Sequence, residues 1–140
     1  MARLSYLLDS NILSEPSRPS PNVQVLSRLQ AHRSAVCTAA PVLHEMRYGL
    51  ARMPDGKRKQ ELTQYLEHAV QQPLTILPYD REAAVWHAEE RARLVARGRT
   101  PAFIDGQIAA ITMVNKLILV TRNTHDFADF AGLAVENWFE

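Results

Sequence analysis

The chain has 140 residues, of which 46% are apolar and 22% charged, and its net charge is +1. That length and balance describe one globular domain over residues 1–140, which buries roughly two thirds of its unfolded surface and needs neither metal nor disulfide merely to fold. They exclude a membrane span, since no stretch approaches the ~20 apolar residues one requires, and a disulfide framework, since Cys37 stands alone.

The opening Met1-Ala2-Arg3-Leu4-Ser5-Tyr6-Leu7-Leu8-Asp9 lacks the long apolar core of an export signal, and with the single thiol it predicts a reducing, cytoplasmic setting. Leu4 to Leu8 is a short apolar run closed by Asp9-Ser10-Asn11, the pattern of a buried strand entering a turn. Ser14 to Pro21 is proline-rich and reads as a loop. Val23, Leu26 and Leu29 have helical spacing, and Ala35 to Thr38 is a second strand that buries Cys37. Two further helical patterns follow, at Leu43, Met46 and Leu50, then at Leu62, Tyr65, Leu66, Ala69 and Val70; Leu74 to Leu77 is the third strand. Asp80 predicts the N-cap of a helix that runs to Arg97 and stops at Gly98. Thr100-Pro101 predicts cap and first-turn proline of a helix carrying Ile104, Ile108, Ile111 and Met113. Leu117 to Thr121 is a fourth strand and Leu133 to Glu136 a weaker fifth. Strand and helix alternate throughout, so the expected class is α/β, with a mostly parallel sheet of about five strands covered on both faces.

The acidic residues fall where such a fold builds sites, beyond the carboxyl ends of the strands. Asp9 directly follows the first strand, and Thr121-Arg122-Asn123-Thr124-His125-Asp126-Phe127 follows the fourth. Glu45 is expected one turn into its helix and Asp105 at the same depth in its own, beside apolar stripes made by Leu43 and Met46 and by Ile104 and Ile108. Acids so near a core face call for a partner or a cation. Two carboxylates about 4 Å apart repel by roughly 4 kcal/mol at an effective dielectric of 20, so a cluster either takes up a proton or binds a hard dication. All-oxygen ligation favours Mg²⁺ or Mn²⁺ over zinc, and such ions serve phosphate chemistry. Taken singly, Asp9 reads equally as a turn cap and Asp105 as an acid at the positive end of a helix.

Four segments in order resemble the motifs of PIN-domain nucleases, and specifically of VapC and FitB toxins from type II toxin–antitoxin systems. They are Leu7-Leu8-Asp9-Ser10-Asn11-Ile12-Leu13, His44-Glu45-Met46-Arg47-Tyr48-Gly49-Leu50, Ile104-Asp105-Gly106-Gln107-Ile108-Ala109-Ala110 and Thr121 to Phe127. The resemblance covers essentially the whole chain. It implies a three-layer α/β/α domain whose first strand lies centrally beside the fourth, and a metal-dependent endoribonuclease that cuts RNA, pairs with a cognate antitoxin and forms homodimers. Carried over by position, Asp9, Glu45, Asp105 and Asp126 are the catalytic, metal-binding carboxylates, Asp126 being the variable member, and Asn11, Thr121 and Asn123 are supporting groups. Gly106 departs from the alanine common at its position, at a cost of roughly 1 kcal/mol inside a helix.

Several residues keep two readings. Arg122 either meets phosphate or pairs with a local carboxylate. His125 reads as a solvated loop histidine. Arg91, Arg93, Arg97 and Arg99 form either an RNA-facing stripe or a solvated helix face. Trp86 and Trp138 read as core or dimer contacts. Two other functions compete: a PIN-like interaction module without activity, and an aspartyl-phosphate phosphatase using Asp9. Asn11 weighs against the phosphatase, because haloacid-dehalogenase enzymes carry a second aspartate there.

Overall fold

The computed structural model describes residues 3–140; the first two residues of the opening segment, Met1 and Ala2, lie outside it. Five strands, β1 (Tyr6–Leu8), β2 (Val36–Ala39), β3 (Ile76–Leu77), β4 (Ile118–Val120) and β5 (Val135–Glu136), form one sheet in the order β3-β2-β1-β4-β5. Every neighbouring pair is parallel. The helices α1 (Ser10–Leu13), α2 (Val23–Ala31), α3 (Ala40–Ala51), α4 (Lys57–Gln64), α5 (Arg81–Ala96) and α6 (Phe103–Val114) supply the crossovers and flank the sheet. α4 continues as a π-helical stretch over Tyr65–Gln71, burying Leu66 and Val70. Among the described residues no helix is long and apolar enough to cross a membrane.

The alternation of strand and helix expected from the sequence is thus present, with local corrections. Asp80 caps α5, its carboxylate accepting from the Ala83 N–H at 3.0 Å, and the chain leaves that helix through Gly98 at φ +76°. α6, by contrast, begins at Phe103, two residues later than Pro101 predicts; Ala102 is its N-cap and offers no side-chain bond. α2 is capped by Asn22, whose side chain accepts from the N–H groups of Gln24 and Val25. Its buried residue is Val25, while Val23 and Leu26 are exposed. Three-residue steps drift around a helix, and the Val25–Leu29 step of four holds the inner face better. The proline-rich loop is ordered around a 3₁₀ turn at Glu15–Ser17, where the buried Glu15 accepts from the Asn22 N–H at 2.7 Å.

Leu7, Leu8, Leu119 and Val120 on the two central strands and Ile108 and Ile111 on α6 are almost wholly buried, each worth about 1.5–3 kcal/mol of apolar transfer. Trp138 is core, stacked on His32 and edge-on to Tyr6, and Cys37 is a buried thiol. From β1 the chain winds outward through β2 to β3, then returns to lay β4 against the other side of β1. The strand order therefore reverses between β1 and β4, and the crevice of an open α/β sheet opens at such a point.

Candidate active site

The last paired residues of the two central strands are Leu8 and Val120, so Asp9 and Thr121 leave the sheet side by side. The Asp9 N–H still donates to the Val120 carbonyl at 2.9 Å, which fixes its backbone before α1 begins. Asp9 is the N-cap of that short helix. One carboxylate oxygen accepts from the Ser10 N–H at 2.8 Å and the other from the Thr121 hydroxyl at 2.8 Å. Thr121 Oγ1 in turn accepts from Asn11 Nδ2 at 3.3 Å and from the Asn123 N–H at 3.1 Å. With both acceptor positions used, its one proton has Asp9 as its destination. Asn11 closes the network by accepting from the Arg122 N–H at 3.0 Å. Asn11 and Thr121 thus stand beside Asp9 through their side chains, whereas Asn123 does so through its backbone.

The other acids come from three different elements. Asp105 is the third residue of α6 and is partly buried; Glu45 lies in the second turn of α3 and is exposed; Asp126 is exposed in a 3₁₀ turn at Thr124–Phe127. Equal depth of Glu45 and Asp105 in their helices is therefore corrected, because α6 starts late, and Glu45 faces solvent rather than the edge of the core. Their electrostatics nevertheless join them. Burial raises Asp9, opposed by the bonds from Ser10 and Thr121 and reinforced by Asp126. Burial and then Asp9 raise Glu45, with His44 opposing. Asp105 is pushed up to about 6, by burial first and then by Asp9, Asp126 and Glu45. No lysine or arginine offsets any of these shifts.

Among the described residues no three His, Cys, Asp or Glu side chains converge closely enough to enclose an ion unaided. The donor set around Asp105 is all oxygen. That chemistry fits Mg²⁺ or Mn²⁺, which are commonly held by one or two carboxylates with water completing the shell.

The remaining candidates separate. Arg122 forms no ion pair among the described residues and lies over the Phe139 ring, 4.4 Å from its centroid. His125 is exposed. In the arginine-rich segment Arg93 is committed to Glu90 and Arg99 to Asp129, while Arg91 lies over Phe103 at 5.1 Å. Trp86 packs toward the core near Phe130. Gly106 has a steric reason: a Cβ there would overlap the imidazole of the buried His87. Sequence reading missed the planar side chains beside Glu45, namely His44, Tyr48 and Arg52, although their four-residue spacing was available as a signal.

The PIN-domain family pattern matches residues 6–133, nearly the whole chain and every acid of the site. The chain belongs to the PIN-domain family. This PIN domain is 37% identical to the toxin FitB of Neisseria gonorrhoeae over 125 residues, 86% of this chain and 89% of FitB. It is 33% identical to the VapC ribonuclease Y4jK of Sinorhizobium fredii over 137 residues, 96% of this chain and 97% of that protein. The crystal structure of FitAcB from Neisseria gonorrhoeae matches the PIN domain with a TM-score of 0.87 at 35% identity, covering 96% of this chain and 99% of that one. The resemblance drawn from the four motifs is borne out at the level of family and fold.

Proposed function

We propose that this PIN domain is a divalent-cation-dependent endoribonuclease and the toxin of a toxin–antitoxin pair, acting in the cytoplasm on RNA as a homodimer and neutralised by a cognate antitoxin. The observation that carries the reading is the convergence of acids from separate elements beyond the ends of β1 and β4, where burial and then Asp9, Asp126 and Glu45 push Asp105 up to about 6. A protein that gathers acids without a counter-charge is a poor site until an ion arrives. The names toxin and ribonuclease borne by its relatives point the same way.

In this reading Asp9 and Asp105 would hold Mg²⁺ or Mn²⁺, Glu45 would bind it directly or through water, and Asp126 would hold a second ion or an ordered water. Bound there, the cation supplies neutralisation of phosphate charge and a lowered pKa for water. Asp9 is kept in one orientation by Ser10 and Thr121. Glu45, exposed and with its pKa raised, is placed to accept the proton of the attacking water. Asn11 and Thr121 hold the ends of β1 and β4 in register, so that Asp9 does not move as charge changes. In the phosphatase alternative the position of Asn11 would have to act as an acid, yet its amide is committed at both ends to Thr121 and Arg122.

The test is cleavage of total cellular RNA by the purified protein with Mg²⁺ or Mn²⁺ and with a chelator, alongside a folded Asp9→Asn variant. Cleavage that needs the ion and disappears in the variant is expected, with 5′-end sequencing giving the cut sites. Full cleavage in the variant would sink the site. Calorimetry showing no ion binding at millimolar concentration would instead favour a PIN scaffold without activity.

A further inference from the structure

The exposed face of α3 carries three planar side chains at steps of four residues, His44, Tyr48 and Arg52, which brings them into a column along the helix. His44 and Tyr48 stack with ring centroids 6.2 Å apart and 29° between planes, and the Arg52 guanidinium lies 4.8 Å from the Tyr48 centroid. Tyr48 is still 56% exposed, so the ring remains open to solvent despite these two contacts. The column lines an open groove of about 400 Å³ whose other walls are Glu45, Gly49 and Ile104. Glu45 and Ile104 tie the groove to the acidic site, since Ile104 precedes Asp105.

A second pair repeats the theme at the start of α6. Phe103, half-exposed and two residues before Asp105, lies under the Arg91 guanidinium at 5.1 Å. The third cation–π pair among the described residues, Arg122 over Phe139, adjoins Thr121. Neither Arg52 nor Arg91 forms a salt bridge among the described residues. A free guanidinium on an exposed ring offers one face to a planar ligand and a charge to an anion, which are the two halves of a nucleotide.

We propose that this groove binds an unpaired nucleobase of single-stranded RNA next to the scissile phosphate, with Tyr48 as its stacking platform and Arg52 contacting the flanking phosphate. The inference rests on the nuclease reading and names the form of its substrate. A base inside a duplex already has both faces stacked, so only an unpaired one can reach Tyr48. A surface for self-association is the competing occupant, since tyrosine and arginine are also enriched in protein interfaces, and the oligomeric state of a Tyr48 variant distinguishes the two.

The test separates binding from cutting by using the Asp9→Asn background. In it, Tyr48→Trp should bind a single-stranded oligouridine or oligoadenosine of about 12 nucleotides with quenching of the new indole, and a blunt-ended RNA duplex of matched length should not quench. Tyr48→Ala should weaken that binding by about 5- to 150-fold, the range seen when one base-stacking ring is removed. In the active protein Tyr48→Ala should raise KM by a similar factor while kcat stays within a few-fold, and Tyr48→Trp should restore KM. Equal binding by the alanine and tryptophan variants, equal quenching by the blunt-ended duplex, or loss of a dimer in light scattering of Tyr48→Ala would each overturn the proposal. RNA cleavage surviving in Asp9→Asn would count against the nuclease site alone, since quenching is read without chemistry.

Discussion

Glu90 on α5 and Asp105 on α6 are two shielded acids on helices that pack against each other, and their environments push them in opposite directions. Glu90 is 8% exposed, yet both its oxygens are taken at 2.7 Å by Arg93, and one of them also accepts the Ala131 N–H at 2.7 Å. Those bonds hold its carboxyl below the ordinary range. Asp105 has only other acids for company and is raised to about 6. Burial of a carboxylate therefore does not mark a site in this fold. The mark is burial without a counter-charge from the chain itself, which leaves the charge to be supplied from outside.

The largest test of that contrast exchanges what is lost. Asp105→Asn should lower RNA cleavage by more than about 100-fold, a loss of over ~2.7 kcal/mol in transition-state stabilisation, while thermal stability holds or rises because a repelling charge has gone. Glu90→Ala should do the reverse, costing about 2 kcal/mol of stability through the unpaired Arg93 and Ala131 groups and leaving kcat within a few-fold. Activity assays and melting curves on both variants read the four numbers. If Asp105→Asn destabilised the fold as much as Glu90→Ala, the two acids would be doing the same job.

Much of this was legible in the sequence. Five apolar runs bounded by turn residues became five strands, because parallel strands shielded on both faces write an unbroken pattern. Asp9 and Thr121 were placed by simple position at strand ends. Less visible were features that depend on how elements meet. Pro101 looks like a helix start, but the chain turns into α6 only after Ala102. Glu90 and Arg93 look like part of a basic surface stripe, and only the approach of the 129–131 segment makes them a buried pair. The cost assigned to Gly106 assumed empty space around it, whereas the space is filled by His87, nineteen residues earlier.

That filling gives a second, smaller test, local to Asp105. His87 is held at Nδ1 by the Tyr79 hydroxyl at 2.8 Å and packs against Phe103 with centroids 4.8 Å apart, so it has little room to retreat from a methyl group on Gly106. Gly106→Ala gains about 1 kcal/mol of helix propensity and meets an overpacking cost of roughly 1–3 kcal/mol. The expected net effect is a loss of about 1 kcal/mol, with a greater fall in activity than stability explains, because the displaced backbone belongs to the residue after Asp105. In a His87→Ala background the same substitution should stabilise. A double-mutant cycle by denaturant unfolding measures the coupling, and additive effects would mean that the ring yields freely.

The smallest expected effect, and the one that separates the two acids most directly, is the slope of stability with pH in the absence of divalent ions. Asp105 titrates at 3.8 ordinarily and at about 6 in the folded chain, so between those values the native state binds the extra proton. Stability linked to it is complete below about pH 4 and declines as pH rises through about 6. Asp9 and Glu45 are raised too and add to the decline. Glu90 is lowered, so its contribution is complete above its ordinary 4.5 and is lost as pH falls below it. Melting temperatures taken in chelator should thus fall on the alkaline side less steeply in Asp105→Asn than in the parent, and should fall on the acid side less steeply in Glu90→Gln. Millimolar Mg²⁺ or Mn²⁺ should flatten the first slope and leave the second untouched, since the ion favours ionised Asp105 and has no business with an acid already held by arginine. Parallel curves for parent and Asp105→Asn, with and without the ion, would place the missing counter-charge somewhere other than this cluster.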